Sequence, residues 1–271
     1  MASAEYKKAH KQPKGKSASA TSSAPRPVPP DAARVWRGFR LQTQTEDDFF
    51  SALSTIFIPA TAILQRLYGL TAYLPTVLPK NKPVGVPDEI ALVFYQNQQA
   101  YNDTKLIVGG RAYSKLHNAV FAFPASLSGF PVLLGASLGL DIPYYLLPDS
   151  IDWQTGYTQV YVGARKKGMA TEQFTAGIAR YLQMVQKKRP AGMDGAVVCV
   201  SANYVVYWEH WQSEGASTKG HIADLAGLSE RVLLQPHLPQ EVNPSLTAQY
   251  AGIPGSVEGK SFNILFLRQD S

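Results

Sequence analysis

Apolar residues alternate with polar ones in "RVWRGFRLQ" (34–42), the mark of a strand with one buried face. The next stretch, "TEDDFFSALSTIFIPATAILQRLYG", changes to helical spacing: Thr45 is placed to cap it, and Glu46, Asp47 and Asp48 fall where a helix N-terminus favours negative charge. Pro59 predicts a kink or break inside it. "LTAYLPTVL" and "EIALVFYQ" read as strands flanking the loop "PKNKPVGVPD", and "NQQAYNDTKLIVGGRAYSKLHNAVF" as helix with a weak point at Gly109-Gly110. The order then recurs. "GYTQVYVGARK" is a strand, and "TEQFTAGIARYLQMVQKK" is an amphipathic helix ended by Arg189-Pro190. "AVVCVS" and "YVVYWEHW" form a hairpin turning at Ala202-Asn203; "SEGASTKGHIADLAGL" is helix, and "ERVLLQPHL" and "SFNILFLRQ" are strands.

Strand, helix, strand, strand, helix, met twice, is the ferredoxin-like order in tandem. A local match supports a duplication: "YQNQQA" (95–100) aligns with "WQSEGA" (211–216), each an aromatic at a strand end followed by a cap residue, Asn97 or Ser213. The expected class is α+β, two ferredoxin-like halves forming a pseudo-dimeric barrel within one chain. The expected divisions are an arm at 1–31, a first half at 32–123, an apolar connector at 124–152 and a second half at 153–271. Residues 118–140 carry no charge and are long enough to cross a bilayer, but their prolines and glycines argue for a buried connector or lid, with a membrane-dipping loop as the alternative.

Charge refines this picture. The net charge is +6, yet residues 1–30 hold five lysines and Arg26 against Glu5 alone, so the remainder is close to neutral. No nucleic-acid groove is therefore expected from the fold. The Lys/Ser/Pro-rich arm reads as disordered, with an acidic partner or a membrane surface as what it would contact. No secretory signal peptide is visible, and the expected location is cytoplasmic. The single cysteine, Cys199, lies in an apolar run and reads as a buried, inert thiol.

Candidate chemistry is sparse. Gly135-Ala136-Ser137-Leu138-Gly139 fits the nucleophile pattern G-x-S-x-G, with His237 and Asp194 or Asp224 as later partners, but Pro143 stands too close for the helix such an elbow requires. His210 sits on a strand face opposite Trp211, toward solvent. His221 shares a helical stripe with Leu225 and Leu228, with Asp224 placed to orient its ring. His117 shares a stripe with Tyr113, Val120 and Phe121. Each of these last two reads as a hydrogen-bonded core histidine or as a proton-transfer group.

At "HWQSEGASTKGH" the second half resembles the dimeric α+β barrel superfamily, notably antibiotic-biosynthesis monooxygenase-like domains. The matching positions are Trp211, Gln212, Ser213, Ala216 and His221; Gly215 and Gly220 depart from a good helix sequence. The order of elements is also similar to the haem-containing aldoxime dehydratases, which fuse two such halves. The resemblance implies an apolar cavity enclosed by facing sheets, in a family of cofactor-free oxygenases, haem proteins and non-catalytic members. It implies a small apolar ligand, oxidoreductase or monooxygenase-like activity if there is catalysis, and Tyr95, His117, Tyr207 and Trp211 as pocket residues. His221 would be the base or a haem ligand. A non-enzymatic cargo or interaction protein addressed by the basic arm, and a hydrolase acting through Ser137, are the alternatives.

Overall fold

The computed structural model describes residues 32–217, 221–242 and 252–265; the basic arm lies outside them. The first half opens with β1 (Ala33–Gly38), whose alternation sends Ala33 and Val35 to one face and Arg34 and Trp36 to the other. Helix α1 (Glu46–Ala52) starts as its sequence demands: the Thr45 hydroxyl accepts the Asp48 backbone N–H at 3.1 Å. The acidic first turn is a helix terminus, with Lys80 Nζ 2.6 Å from Asp47. Pro59 does not stop the helix. A π turn over Leu53–Phe57 carries the chain into α2 (Ile58–Arg66), which places the proline in a first turn where its missing N–H costs nothing. The span Glu46–Arg66 is long and apolar enough to cross a membrane, but half of it is buried against the protein.

Strands β2 (Leu70–Val77) and β3 (Glu89–Tyr95) follow, and then α3 (Gln98–Thr104) and α4 (Val108–Val120). The long helix expected here breaks at 105–107, just before the glycine pair. Gly110 is needed for close approach: a Cβ there would stand 1.6 Å from the carbonyl oxygen of Thr104. Asn97 caps α3 by accepting the Ala100 N–H at 2.8 Å. Asn97→Ala should cost about 1 kcal/mol in urea unfolding. Ser213→Ala should cost less than about 0.5 kcal/mol, because Ser213 makes no side-chain cap bond and opens only a 3-10 turn at Glu214–Ala216.

Strand β4 (Leu127–Gly129) completes the half, and the spatial order β2-β3-β1-β4, antiparallel throughout, is ferredoxin-like. After β5 (Val132–Leu133) and β6 (Pro143–Tyr145) the second half repeats the plan: β7 (Tyr157–Arg165), α5 (Thr171–Lys187), β8 (Met193–Val200), β9 (Tyr204–Trp211), α6 (His221–Leu228) and β10 (Ser229–Pro236). Its order is β10-β7-β9-β8, the same arrangement and again antiparallel. The chain closes with β11 (Leu238–Glu241) and β12 (Phe262–Leu265).

The two halves exchange edges. β6 pairs antiparallel with β8 of the second sheet and parallel with β5; β12 pairs antiparallel with β2 of the first sheet and parallel with β11. The two strands that follow each half thus join the other half's sheet, giving two six-stranded sheets. The stretch 118–140, read as connector, lid or membrane loop, ends α4 and contributes β4 and β5.

Between the sheets lies one continuous core, with Leu74, Leu92 and Phe94 from the first against Val162, Val206 and Trp208 from the second. A space lined by Phe94, Trp153 and Gly195 measures only about 10 Å³, roughly one water. The expectation of an open cavity between facing sheets is therefore corrected: large β-branched and aromatic side chains fill that space. Arg37 ties the halves together at its margin, donating to Asp141 Oδ1 at 2.9 Å and standing 2.9 Å from Cys199 Sγ. Burial pushes the Cys199 thiol up to about 12, against the opposing pull of Arg37, so it stays protonated.

Candidate functional site

The outer face of the first sheet carries Arg34 and Trp36 on β1, Tyr73 on β2, and Glu89, Ala91, Val93 and Tyr95 on β3. These residues, with Phe57, Thr61 and Gln65 of the first helical segment and Tyr113 and His117 of α4, enclose a cavity of about 370 Å³. Its size suits a small organic molecule. It lies on the helix side of the sheet, away from the partner sheet.

Several polar atoms at its wall are poorly satisfied. Glu89 is fully buried, and neither carboxyl oxygen makes a hydrogen bond of ordinary geometry. Burial pushes it up from 4.5 to about 8, and the nearby Trp36 indole N–H is the one group that pulls it back toward ionisation. The Tyr73 hydroxyl, Trp36 Nε1 and Gln65 Nε2 are likewise buried without well-formed bonds. Other groups are engaged: Tyr95 donates to Gln65 Oε1 at 3.1 Å, and the Tyr113 and Thr61 hydroxyls are 2.6 Å apart. Buried polar atoms are ordinarily paired, so these five atoms at the cavity wall lack the partners that burial normally requires.

His117 is the cavity's histidine. Its Nδ1 donates to the Tyr113 carbonyl at 3.1 Å, which leaves Nε2 as an acceptor in the neutral ring. Burial lowers it to about 4, offset in part by that backbone bond, so the ring is neutral at pH 7. Trp36, Phe57 and Tyr113 stand edge-on around it at 4.6 to 5.2 Å. Glu89 and His117 thus flank the same tryptophan. One is a carboxyl held protonated, the other an imidazole held unprotonated.

The structure brings Tyr95 and His117 together and leaves the other expected residues apart. Tyr207 and Trp211 face α5 and α6 in the second half, packed against Tyr181 and Leu225 in a filled core. His221 is the first residue of α6 rather than two turns inside a helix; its side chain and that of Asp224 lie outside the described residues. The residue singled out for haem ligation therefore stands in the half without the large cavity. Ser137 is exposed on an irregular loop with no helix after it, between β5 and β6 at one edge of the second sheet. His237 follows β10 at the opposite edge, buried, its Nδ1 donating to the Phe262 carbonyl at 2.9 Å. Among the described residues no hydrolase constellation is assembled. His210 is also corrected: it is buried, with Nδ1 2.5 Å from Asp194 Oδ1 and Nε2 2.6 Å from the Thr155 carbonyl, a structural clamp beside Trp153.

Glu89 escaped the sequence reading. A charged residue after "VPD" and before an apolar run looks like a strand end meeting water. Its phase with Ala91, Val93 and Tyr95 is the signal that places it on the cavity face. Among the described residues no group of three His, Cys, Asp or Glu side chains is arranged to hold a metal ion.

Fold and site together define an α+β protein of two ferredoxin-like halves with a ligand-sized cavity in the first. No family model and no curated protein matches the sequence. Among solved structures, the chain is similar to a putative monooxygenase from Fusobacterium nucleatum, with a TM-score of 0.33 and 9% identity over 75% of this chain and 93% of that one. A protein of the same description from Lactobacillus acidophilus gives a TM-score of 0.30 at 9% identity, over 74% and 94% of the two chains. An anthrone oxidase-like protein gives 0.30 at 10% identity, over 76% and 93%.

Proposed function

We propose that this chain binds a small, largely apolar molecule in the first-half cavity and removes a proton from it, with Glu89 as the base. The observation that carries this reading is a fully buried carboxyl, pushed up to about 8, facing a cavity of about 370 Å³. A base whose pKa lies near the working pH combines an available ionised form with a strong pull on the proton. Trp36 donates toward the carboxylate as it ionises, and His117 Nε2 accepts a hydrogen bond from the ligand. The enolate or phenolate so formed is the kind of electron-rich species that reacts with dioxygen, which gives the oxidative version of this reading its first step.

Binding is tested with N-phenyl-1-naphthylamine, a neutral aromatic whose fluorescence rises in apolar surroundings. The wild type should bind it saturably, and Ala91→Trp, which fills the cavity from β3, should weaken binding about tenfold or more. Ser114→Trp, introduced on an exposed helix position that lines the cavity, should act in the same direction without a change inside the sheet. Absence of saturable binding in the wild type, or equal binding by both variants, would refute the reading.

A further inference from the structure

The cavity has a second polar end, and it is cationic. Arg34 projects from β1 between two rings, its guanidinium carbon 4.1 Å from the centroid of Tyr101 and 4.4 Å from that of Phe130. Its Nε and Nη2 both donate to the Ser128 hydroxyl, at 3.0 and 2.5 Å. Lys105 Nζ lies 4.7 Å from the other contact of that sandwich, the Tyr101 ring. Both cations line the cavity. Among the described residues, neither has a carboxylate within ion-pair distance, whereas Lys80, Lys82, Arg37 and Arg189 each have one. A half-buried, partly desolvated guanidinium held by rings and a single hydroxyl is left without an anionic partner.

The register of the sheet sets the distance between the two ends. Arg34 pairs with Val93, and Glu89 lies four residues further along β3. At about 3.3 Å per residue, the cationic and carboxyl ends are roughly 13 Å apart along the strand. On the sheet the lining between them is Ala91, Val93, Trp36 and Tyr73, apolar apart from the indole N–H and the tyrosine hydroxyl.

We infer that the ligand is an elongated amphipathic anion: an aromatic or aliphatic body lies along β3 toward Glu89, and a carboxylate or sulfonate group at its outer end is held by Arg34 and Lys105. This rests on the reading of the cavity as the ligand site, and makes Arg34 the residue that sets ligand class. The flat guanidinium, fixed by its rings and Ser128, presents its remaining N–H groups without loss of side-chain freedom on binding.

The test is a matched pair of probes, N-phenyl-1-naphthylamine and 1-anilinonaphthalene-8-sulfonate, which differ by one sulfonate. Arg34→Met keeps the length and the apolar stacking but removes the charge. It should weaken the sulfonate probe about tenfold or more and leave the neutral probe within about twofold. Lys105→Gln should produce a smaller, salt-sensitive loss of the sulfonate probe alone. Equal affinity of wild type and Arg34→Met for the sulfonate probe, or a parallel loss of both probes, overturns the inference and leaves the cavity reading standing. Failure of the neutral probe to bind the wild type overturns both.

Discussion

Replacing Glu89 with glutamine should make the protein more stable than wild type at pH 9, and the advantage should shrink toward pH 4. In the unfolded chain this carboxyl releases its proton near 4.5; in the fold burial holds the proton to about 8. Its folded value is raised, so its contribution to stability is fully present below about 4.5 and is lost as the pH rises through about 8. At 1.36 kcal/mol per unit the loss approaches about 5 kcal/mol once both states are ionised. Glutamine has nothing to ionise and escapes the loss. Urea unfolding of both proteins at pH 4, 7 and 9 measures it, and a difference that does not change with pH would show that Glu89 is solvated in the fold. The same substitution should remove the proton-transfer activity, which in the wild type should rise with pH toward a plateau above about 8. On the acid side the buried histidines act in reverse. His117 and His237 are each lowered to about 4, so the stability they contribute is present above 6.5 and lost as the pH falls through 4.

Trp208→Ala is the second large effect. Trp208 is fully buried at the centre of the core shared by the two sheets. Removing a ring of that size from a well-packed interior costs about 3–5 kcal/mol, partly in lost burial and partly in the cavity left behind. Because that core draws on both halves, and because each half lends strands to the other's sheet, the variant should still unfold in one cooperative transition at a lower denaturant concentration. Two separate transitions, with one half retaining its wild-type midpoint, would contradict the account of exchanged edges and a common core.

Much of the architecture was legible because long strands and helices carry their period openly. The short apolar runs of "EIALVFYQ" and "YVVYWEHW", with the joint repeated at Tyr95 and Trp211, were enough to expect the tandem order that the strand arrangement displays. The exchanged edges were not legible. β5 has two residues and β6 three, too short for any period, and β6 meets its partner β8 more than fifty residues away. The π turn at Leu53–Phe57 was half legible: Pro59 announced a disturbance, but whether a helix breaks or absorbs a proline depends on what it packs against.

The site shows the same division. The resemblance at "HWQSEGASTKGH" points to the second half, where Tyr207 and Trp211 are core. The repeat itself held better information. Aligning Tyr95 with Trp211 sets Ala91 against Tyr207, so the first half has a methyl group where the second has a phenol ring. That difference in volume falls on the cavity wall, and the strand that carries it also carries Glu89. What sequence could not supply was the solvation of Glu89, because a carboxyl at the head of a strand is exposed or buried according to helices elsewhere in the chain.

The most direct test of a ligand site on the helix side of the first sheet is a crystal structure of the protein grown with N-phenyl-1-naphthylamine. The account predicts the probe between β3 and the α2–α4 layer, in contact with Ala91 and Trp36 and within reach of Glu89. A probe seated in the second half, or only on the outer surface with the cavity closed around its own side chains, would contradict it.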